Sequence, residues 1–152
     1  MKRPVLGILV LLLAVGAACA DTIIKTLGTE NAVSIESVPG TLRFQAIELD
    51  NVHDEVIVPW VNPEGRAAVA HRSFVHHGQV VVTVFDAAGV ELYSTPADYQ
   101  FDNQTRTGQP GNWNVRFQFF GARGRVDIAL TALPASEGDE DLVPPLPPQP
   151  EP

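Results

Sequence analysis

The stretch that most constrains the fold of this chain is residues 79–93, QVVVTVFDAAGVELY. From Val80 to Phe85, β-branched and aromatic residues alternate between two faces, a pattern typical of a half-buried strand. The DAAG segment then interrupts the run as a turn, because Gly89 is free to adopt a positive φ. Apolar residues return after the turn, so this stretch predicts a β-hairpin.

The same period of two recurs on both sides of the hairpin, and no stretch after residue 20 has a convincing helical period. Residues 50–55 (DNVHDE) and 76–78 (HHG) are predicted to be loops, and residues 99–101 a short strand within an irregular region. The sequence therefore predicts an all-β fold, an antiparallel, jelly-roll-like β-sandwich of about eight strands. Besides the hairpin, strands are predicted over residues 22–27, 32–38, 42–46, 56–61, 67–75, 113–119 and 125–132.

The first 20 residues have the pattern of an export signal, which is excluded from the fold. Lys2 and Arg3 give a basic start, and residues 5–15 are apolar but too short to span a bilayer comfortably. Residues 16–20 are all small. The chain is therefore expected to be extracytoplasmic, either periplasmic or secreted.

Processing of this signal has two interpretations. The ACA segment that ends at Ala20 fits the small-x-small rule of signal peptidase I, which gives a soluble chain that starts at Asp21. Alternatively, Cys19 follows two alanines as in a lipoprotein box, although Gly16 stands where that box usually has Leu, Val or Ile. A lipid anchor on Cys19 would place the protein at a membrane surface. Under either interpretation the mature chain has no thiol for a disulfide or a metal.

Three segments are predicted: the signal peptide at 1–20, a β-sandwich domain at 21–134 and a tail at 135–152. The tail is acidic and then rich in proline, VPPLPPQPEP, which predicts disorder or extended polyproline II structure. The whole chain has a formal net charge of −8. That charge argues against nucleic acid, whose phosphates need a basic face, and against electrostatic docking on anionic lipid. Membrane contact is expected only if Cys19 is lipidated.

Residues 80–133 resemble the C-terminal half of a known kind of module. The hairpin, the segment GNWNV and the closing strand come in the order seen in jelly-roll modules of the bacterial pre-peptidase C-terminal type and in GOLD-like domains. The matching positions are Asp86, Gly89, Gly111, Trp113 and Val115. The resemblance implies a jelly-roll sandwich that serves as an accessory to a secreted enzyme. Its motifs are structural, so they carry little information on function.

The histidines are the first candidates for a functional site. His71, His76 and His77 lie within seven residues, and imidazole is a common ligand of transition metals. A turn between them would bring His71 near one of the other two. The alternative is a polar hairpin tip with solvated rings, which is favoured because no carboxylate stands at a convincing third position. No cofactor is therefore expected.

Aromatic residues are the second candidates, because exposed rings can form a platform for a sugar. Trp60 beside a proline, and Tyr99 and Phe101 in the irregular region, are predicted as ligand-binding residues; core packing is the alternative. A catalytic constellation is not evident, since no serine stands in a nucleophile elbow. Ser73 shares a strand face with His71, and this face is interpreted as the outward one.

Taken together, these residues predict an exported, non-catalytic binding or accessory module of the cell envelope or extracellular space. Its partner is expected to be a protein or a glycan, not a nucleic acid. The alternative is a metal-binding protein that uses the three histidines named above.

Overall fold

The structure, a computed structural model, describes residues 23–134, which form seven β-strands and one short 3-10 helix. Strand pairing is antiparallel throughout, apart from one isolated parallel bridge between Lys25 and Val52. The all-β, antiparallel fold class is thereby confirmed. The elements are the 3-10 helix Thr29–Asn31, β1 Ser34–Val38, β2 Thr41–Asn62, β3 Arg66–Arg72, β4 Phe74–Phe85, β5 Glu91–Pro96, β6 Gln100–Gln104 and β7 Gly111–Leu133.

Two long strands, β2 and β7, run through both layers of the molecule. The end of β7 lies between the start of β2 and β3, and the start of β7 lies between the end of β2 and β4. One layer therefore has the order β1-β2-β7-β3-β6, and the other has the order β2-β7-β4-β5. The rings of Phe44 and Phe117 come from different halves of these strands, yet their centroids are 4.1 Å apart. The sheet thus folds over on itself as a sandwich.

The bend occurs where the ladders lose their register. β2 shifts register between residues 46 and 53, and β4 shifts between residues 75 and 79. Several residues in or near these shifted segments adopt positive φ, including Asn51 at 57° and Gly78 at 69°. Bulges of this kind bend a strand and increase its twist. They allow a single sheet to supply both layers.

The core lies between the layers and follows the alternation seen in the sequence. The central hairpin is confirmed as β4 paired with β5, and buried residues alternate with more exposed ones along most of β2 and β7, with breaks at the bulges. The aromatic pair Trp60 and Trp113 meets edge to face, with centroids 5.7 Å apart. The largest fully buried side chains besides these two are Phe44, Phe117, Phe119, Leu42, Ile128 and Leu130.

Three expectations from the sequence are wrong in detail. In place of the first predicted strand, residues 23–27 contribute only the isolated bridge at Lys25. The polar residues 50–55 lie within β2, and residues 76–78 lie within β4. In both places a bulged strand continues through a polar segment. Because such a segment interrupts the alternation of the sequence, it was predicted to be a loop.

The export signal, Cys19 and the acidic, proline-rich tail lie outside the described residues. Within residues 23–134, no helix has the length and hydrophobicity needed to cross a membrane.

Candidate functional site

A row of aromatic side chains runs from the interior of the sandwich to solvent at the edge formed by β6. The row begins at Tyr93 in β5, whose hydroxyl oxygen lies 2.8 Å from Nε2 of His71 in β3. The imidazole stacks on the ring of Phe101, with centroids 4.0 Å apart and planes 13° apart. Tyr99 follows at 5.2 Å from the Phe101 centroid, and it is 65% exposed. We call these four side chains the aromatic row.

The pairing of β3 with β6 positions the middle of the aromatic row. His71 is directly opposite Phe101 in the antiparallel register, and opposite residues point to the same face. His71 faces inward because it continues the buried alternation of Ala67 and Val69 along β3. β6 is the last strand of its layer, so the row reaches solvent there.

His71 is fully buried, and its surroundings favour the neutral imidazole. Burial, the largest influence, and the nearby Arg72 guanidinium lower the pKa of His71 to about 4, against an opposing contribution from Asp102. Nδ1 of His71 has no hydrogen-bond partner among the described residues. Burial likewise raises the pKa of Tyr93, so its hydroxyl keeps its proton. The pair is a neutral, rigid support for the two outer rings.

Polar groups flank the aromatic row on the opposite face of β3 and β6. Arg72 forms an ion pair with Asp102 at 2.7 Å and also donates to the backbone carbonyl of Phe101 at 3.3 Å. The hydrogen bond from Arg72 holds the pKa of Asp102 below its usual value. Both side chains are exposed, so salt weakens their attraction. Their contacts nevertheless fix β6 against β3, and with it Phe101.

The expectation that Trp60 is exposed is wrong. Its side chain is 1% exposed, and its Nε1 donates to the backbone carbonyl of Val38 at 3.2 Å. Trp60 follows Val58 on the inward face of β2, so the neighbouring Pro59 takes the outward position. Of the three predicted ligand-binding residues, the structure therefore brings only Tyr99 and Phe101 together.

The three candidate metal ligands do not form one site. His71 is buried and bonded to Tyr93, whereas His76 and His77 are exposed in the bulged part of β4. The ring of His76 lies near that of Phe74, with centroids 5.9 Å apart. In the part of the chain that the structure describes, no group of three or more His, Cys, Asp or Glu side chains is arranged to hold a metal ion.

Ser73 and His71 share a face of the strand as expected, but that face points inward and not outward. Ser73 is 1% exposed, and its Oγ accepts a hydrogen bond from the backbone N–H of Asp127 at 3.1 Å. Nε2 of His71 is bonded to Tyr93. The serine therefore connects β3 to β7, and the histidine belongs to the aromatic row.

The fold and the aromatic row define a class of molecule: an all-β antiparallel sandwich whose buried aromatic stack opens at one sheet edge. Comparison of the sequence with models of known families and with curated proteins finds no match. The resemblance of residues 80–133 to pre-peptidase C-terminal and GOLD-like modules stays a prediction.

Proposed function

We propose that this chain is an exported, non-catalytic binding module that contacts a glycan through the aromatic row. The observation that carries the proposal is the exposed ring of Tyr99, held next to Phe101 by a buried stack. Ligand sites commonly combine aromatic surface with a few fixed polar groups that orient the ligand. Here the rings supply the aromatic surface, and Asn103, two residues after Phe101 on the same face of β6, supplies a polar group beside it.

The geometry of the two outer rings favours a particular shape of glycan. The planes of Tyr99 and Phe101 are tilted by 47°, so they do not form one flat platform. A flat polysaccharide surface would touch only one of them. A single soluble chain, whose successive sugar rings change orientation, would contact both rings. The proposed ligand is therefore a soluble oligosaccharide of the envelope or its surroundings.

Replacing Tyr99 by alanine tests this function. The exposed ring makes no core contact that the fold depends on, so Tyr99→Ala is expected to keep the unfolding midpoint of the wild type. Loss of one stacked ring is expected to weaken glycan binding by roughly tenfold, as for truncation of an aromatic anchor. Binding would be measured on a glycan array and then by calorimetry with each glycan that binds.

Phe120→Ala is the matched control, because Phe120 is also an exposed aromatic (49%) but lies in β7 outside the aromatic row. Equal losses of glycan affinity in the two variants would show that the binding is non-specific contact with any exposed aromatic ring. A wild-type chain that binds no glycan on the array would overturn the choice of ligand, and binding unchanged by Tyr99→Ala would overturn the choice of site.

A further inference from the structure

β1 is an unpaired and apolar edge of the sandwich. It pairs with β2 on one side only, and within residues 23–134 no strand pairs with its other side. All five of its residues are exposed, including Ile35 at 45% and Val38 at 57%. An edge of this kind offers a row of backbone donors and acceptors to any extended chain.

Two of the other three sheet edges, those of β5 and β6, are protected. The edge of β5 is covered by the segment after β6, where the backbone N–H of Arg106 donates to Leu92 and its guanidinium donates to the carbonyl of Glu91. β6 carries Asp102, whose ion pair with β3 is described above, among other polar side chains. Charged and polar side chains on an edge oppose further pairing. β1 has a single charged residue, Glu36.

An apolar groove of about 520 Å³ lies beside β1. It is lined mainly by Leu27, Val33, Ile35 and Val56, with backbone from the turn that carries the 3-10 helix. Val56 is the β2 residue among them, and among the described strands this part of β2 pairs only with β7. The groove therefore runs between an unpaired strand edge in each layer.

Hydrogen bonds hold the segments around the groove against β2. Ser37 Oγ of β1 donates to the carbonyl of Pro59 at 2.9 Å, and the backbone N–H of Leu27 donates to Asp54 at 2.9 Å. Ile35 of β1, Leu27 and Val56 of β2 all line the groove. An added strand at β1 would place every second side chain into this groove, since alternate residues point to the same face.

The surroundings of the groove are acidic. A Cβ on Gly28, which lines the groove, would meet the carboxylate of Glu30. Asp54 accepts a hydrogen bond from the backbone N–H of Leu27, which lines the groove, and no lysine or arginine is among the lining residues. The chain as a whole has a net charge of −8. A segment that enters the groove is therefore favoured if it carries lysine or arginine next to its apolar residues.

We propose that β1 accepts an extended segment of a partner protein as an additional strand, with branched apolar side chains in the groove and basic residues at its rim. A second copy of this chain fits less well. A stable dimer buries roughly 800 Å² on each partner, which a five-residue edge does not supply, and two acidic rims would face each other. The surface is separate from the aromatic row, so it acts independently of glycan binding.

The test uses a soluble eight-residue peptide in which valine or isoleucine alternates with lysine or threonine, titrated into the full chain. Saturable binding is expected, with slowed hydrogen exchange of the β1 amides. Ile35→Lys puts a charge in the groove and is expected to weaken binding by at least about tenfold, or about 1.4 kcal/mol. Val33→Thr is a milder change in the same groove; it is also expected to weaken binding, and it provides the test if Ile35→Lys does not fold.

Ile57→Lys is the matched control, because Ile57 is a comparably exposed isoleucine (56%) that does not line the groove. It is expected to change the affinity by less than about twofold. A peptide with glutamate in place of lysine is expected to bind more weakly than the basic one. The proposal is overturned if the wild type does not bind the basic peptide, or if Ile35→Lys and Ile57→Lys have the same effect. It is also overturned if sedimentation shows a dimer that Ile35→Lys dissociates.

Discussion

Asp86 shows how one buried carboxylate joins two distant parts of the chain. Its Oδ1 accepts hydrogen bonds from the backbone N–H groups of Ala88 and Val90, and its Oδ2 accepts one from Gln109. Burial is the largest single influence and raises the pKa of Asp86, but the backbone donors together outweigh it and hold the pKa below its usual value. The turn residue recognised in the sequence therefore also fixes the segment that leads into β7.

His71 gives a prediction about pH. Its pKa is about 4 in the folded chain and 6.5 in the unfolded chain, so the neutral form stabilises the fold. This contribution is fully present above pH 6.5 and is lost as the pH falls through 6.5 towards 4. The 2.5-unit difference between these pKa values corresponds to about 3 kcal/mol.

We expect the free energy of unfolding of the wild type to fall by about 3 kcal/mol relative to that of His71→Phe as the pH is lowered from 7 to 4. Chemical denaturation at several pH values would measure it, and the carboxylates common to both proteins cancel in the difference. His77→Gln, a change at an exposed histidine, is the control. A difference that stays constant with pH would contradict the buried, neutral state of His71.

At the scale of single strands, the sequence predicted the faces better than the ends. The alternation predicted that Val80, Val82 and Val84 share one face of a strand, and in the structure all three are buried. The bulged segments of β2 and β4 were predicted as loops, since polar residues at a bend look the same in sequence as residues in a loop. Local patterns also carry no information on register across the sheet.

The candidate site depends on strand pairing and register, which local sequence patterns do not provide. Tyr99 and Phe101 were recognised as candidates because they lie in an irregular, aromatic stretch. Their support by His71 and Tyr93 was not predicted, because it depends on the pairing of β3 with β6 and on the contact between His71 in β3 and Tyr93 in β5, two strands that do not pair. The inward position of His71 in the alternation of β3 was the one signal that could have indicated a buried role.

The bend of the sheet gives a prediction for two glycines. A Cβ on Gly78 would overlap the carbonyl oxygen of Gly121 in the neighbouring β7, whereas a Cβ on Gly89 would meet nothing within 4 Å. Both residues have positive φ, 69° and 78°. Gly78→Ala therefore adds a backbone clash to the conformational strain that both substitutions share, which is roughly 1–2 kcal/mol.

We expect Gly78→Ala to lower the free energy of unfolding by at least about 2 kcal/mol more than Gly89→Ala does. Urea denaturation of both variants under the same conditions would measure the difference. Equal losses would mean that β4 and β7 can separate at the bend without cost, and the close approach of the two backbones would then have no role in stability.

The cellular location of the protein and its mature N-terminus can be predicted from the first 20 residues. We expect the chain to be exported and cleaved after Ala20, so that intact-mass analysis finds a start at Asp21. Cys19→Ala keeps a small residue in the cleavage segment and is expected to leave this mass and the soluble fraction unchanged. A diacylglyceryl group on Cys19, with release from the membrane fraction in Cys19→Ala, would establish the lipid-anchored alternative. Retention of the uncleaved chain in the cytoplasm would contradict export.

The position of β7 determines when the molecule can fold. β7 is the last described strand to be synthesised, yet it pairs with β2, β3 and β4 and contributes to both layers. Until it leaves the ribosome, the preceding strands lack the neighbour that joins them. Pairings so distant in sequence also form slowly. The two layers therefore cannot be joined until synthesis reaches the end of β7 at Leu133, so the chain is expected to be incompletely folded throughout its synthesis.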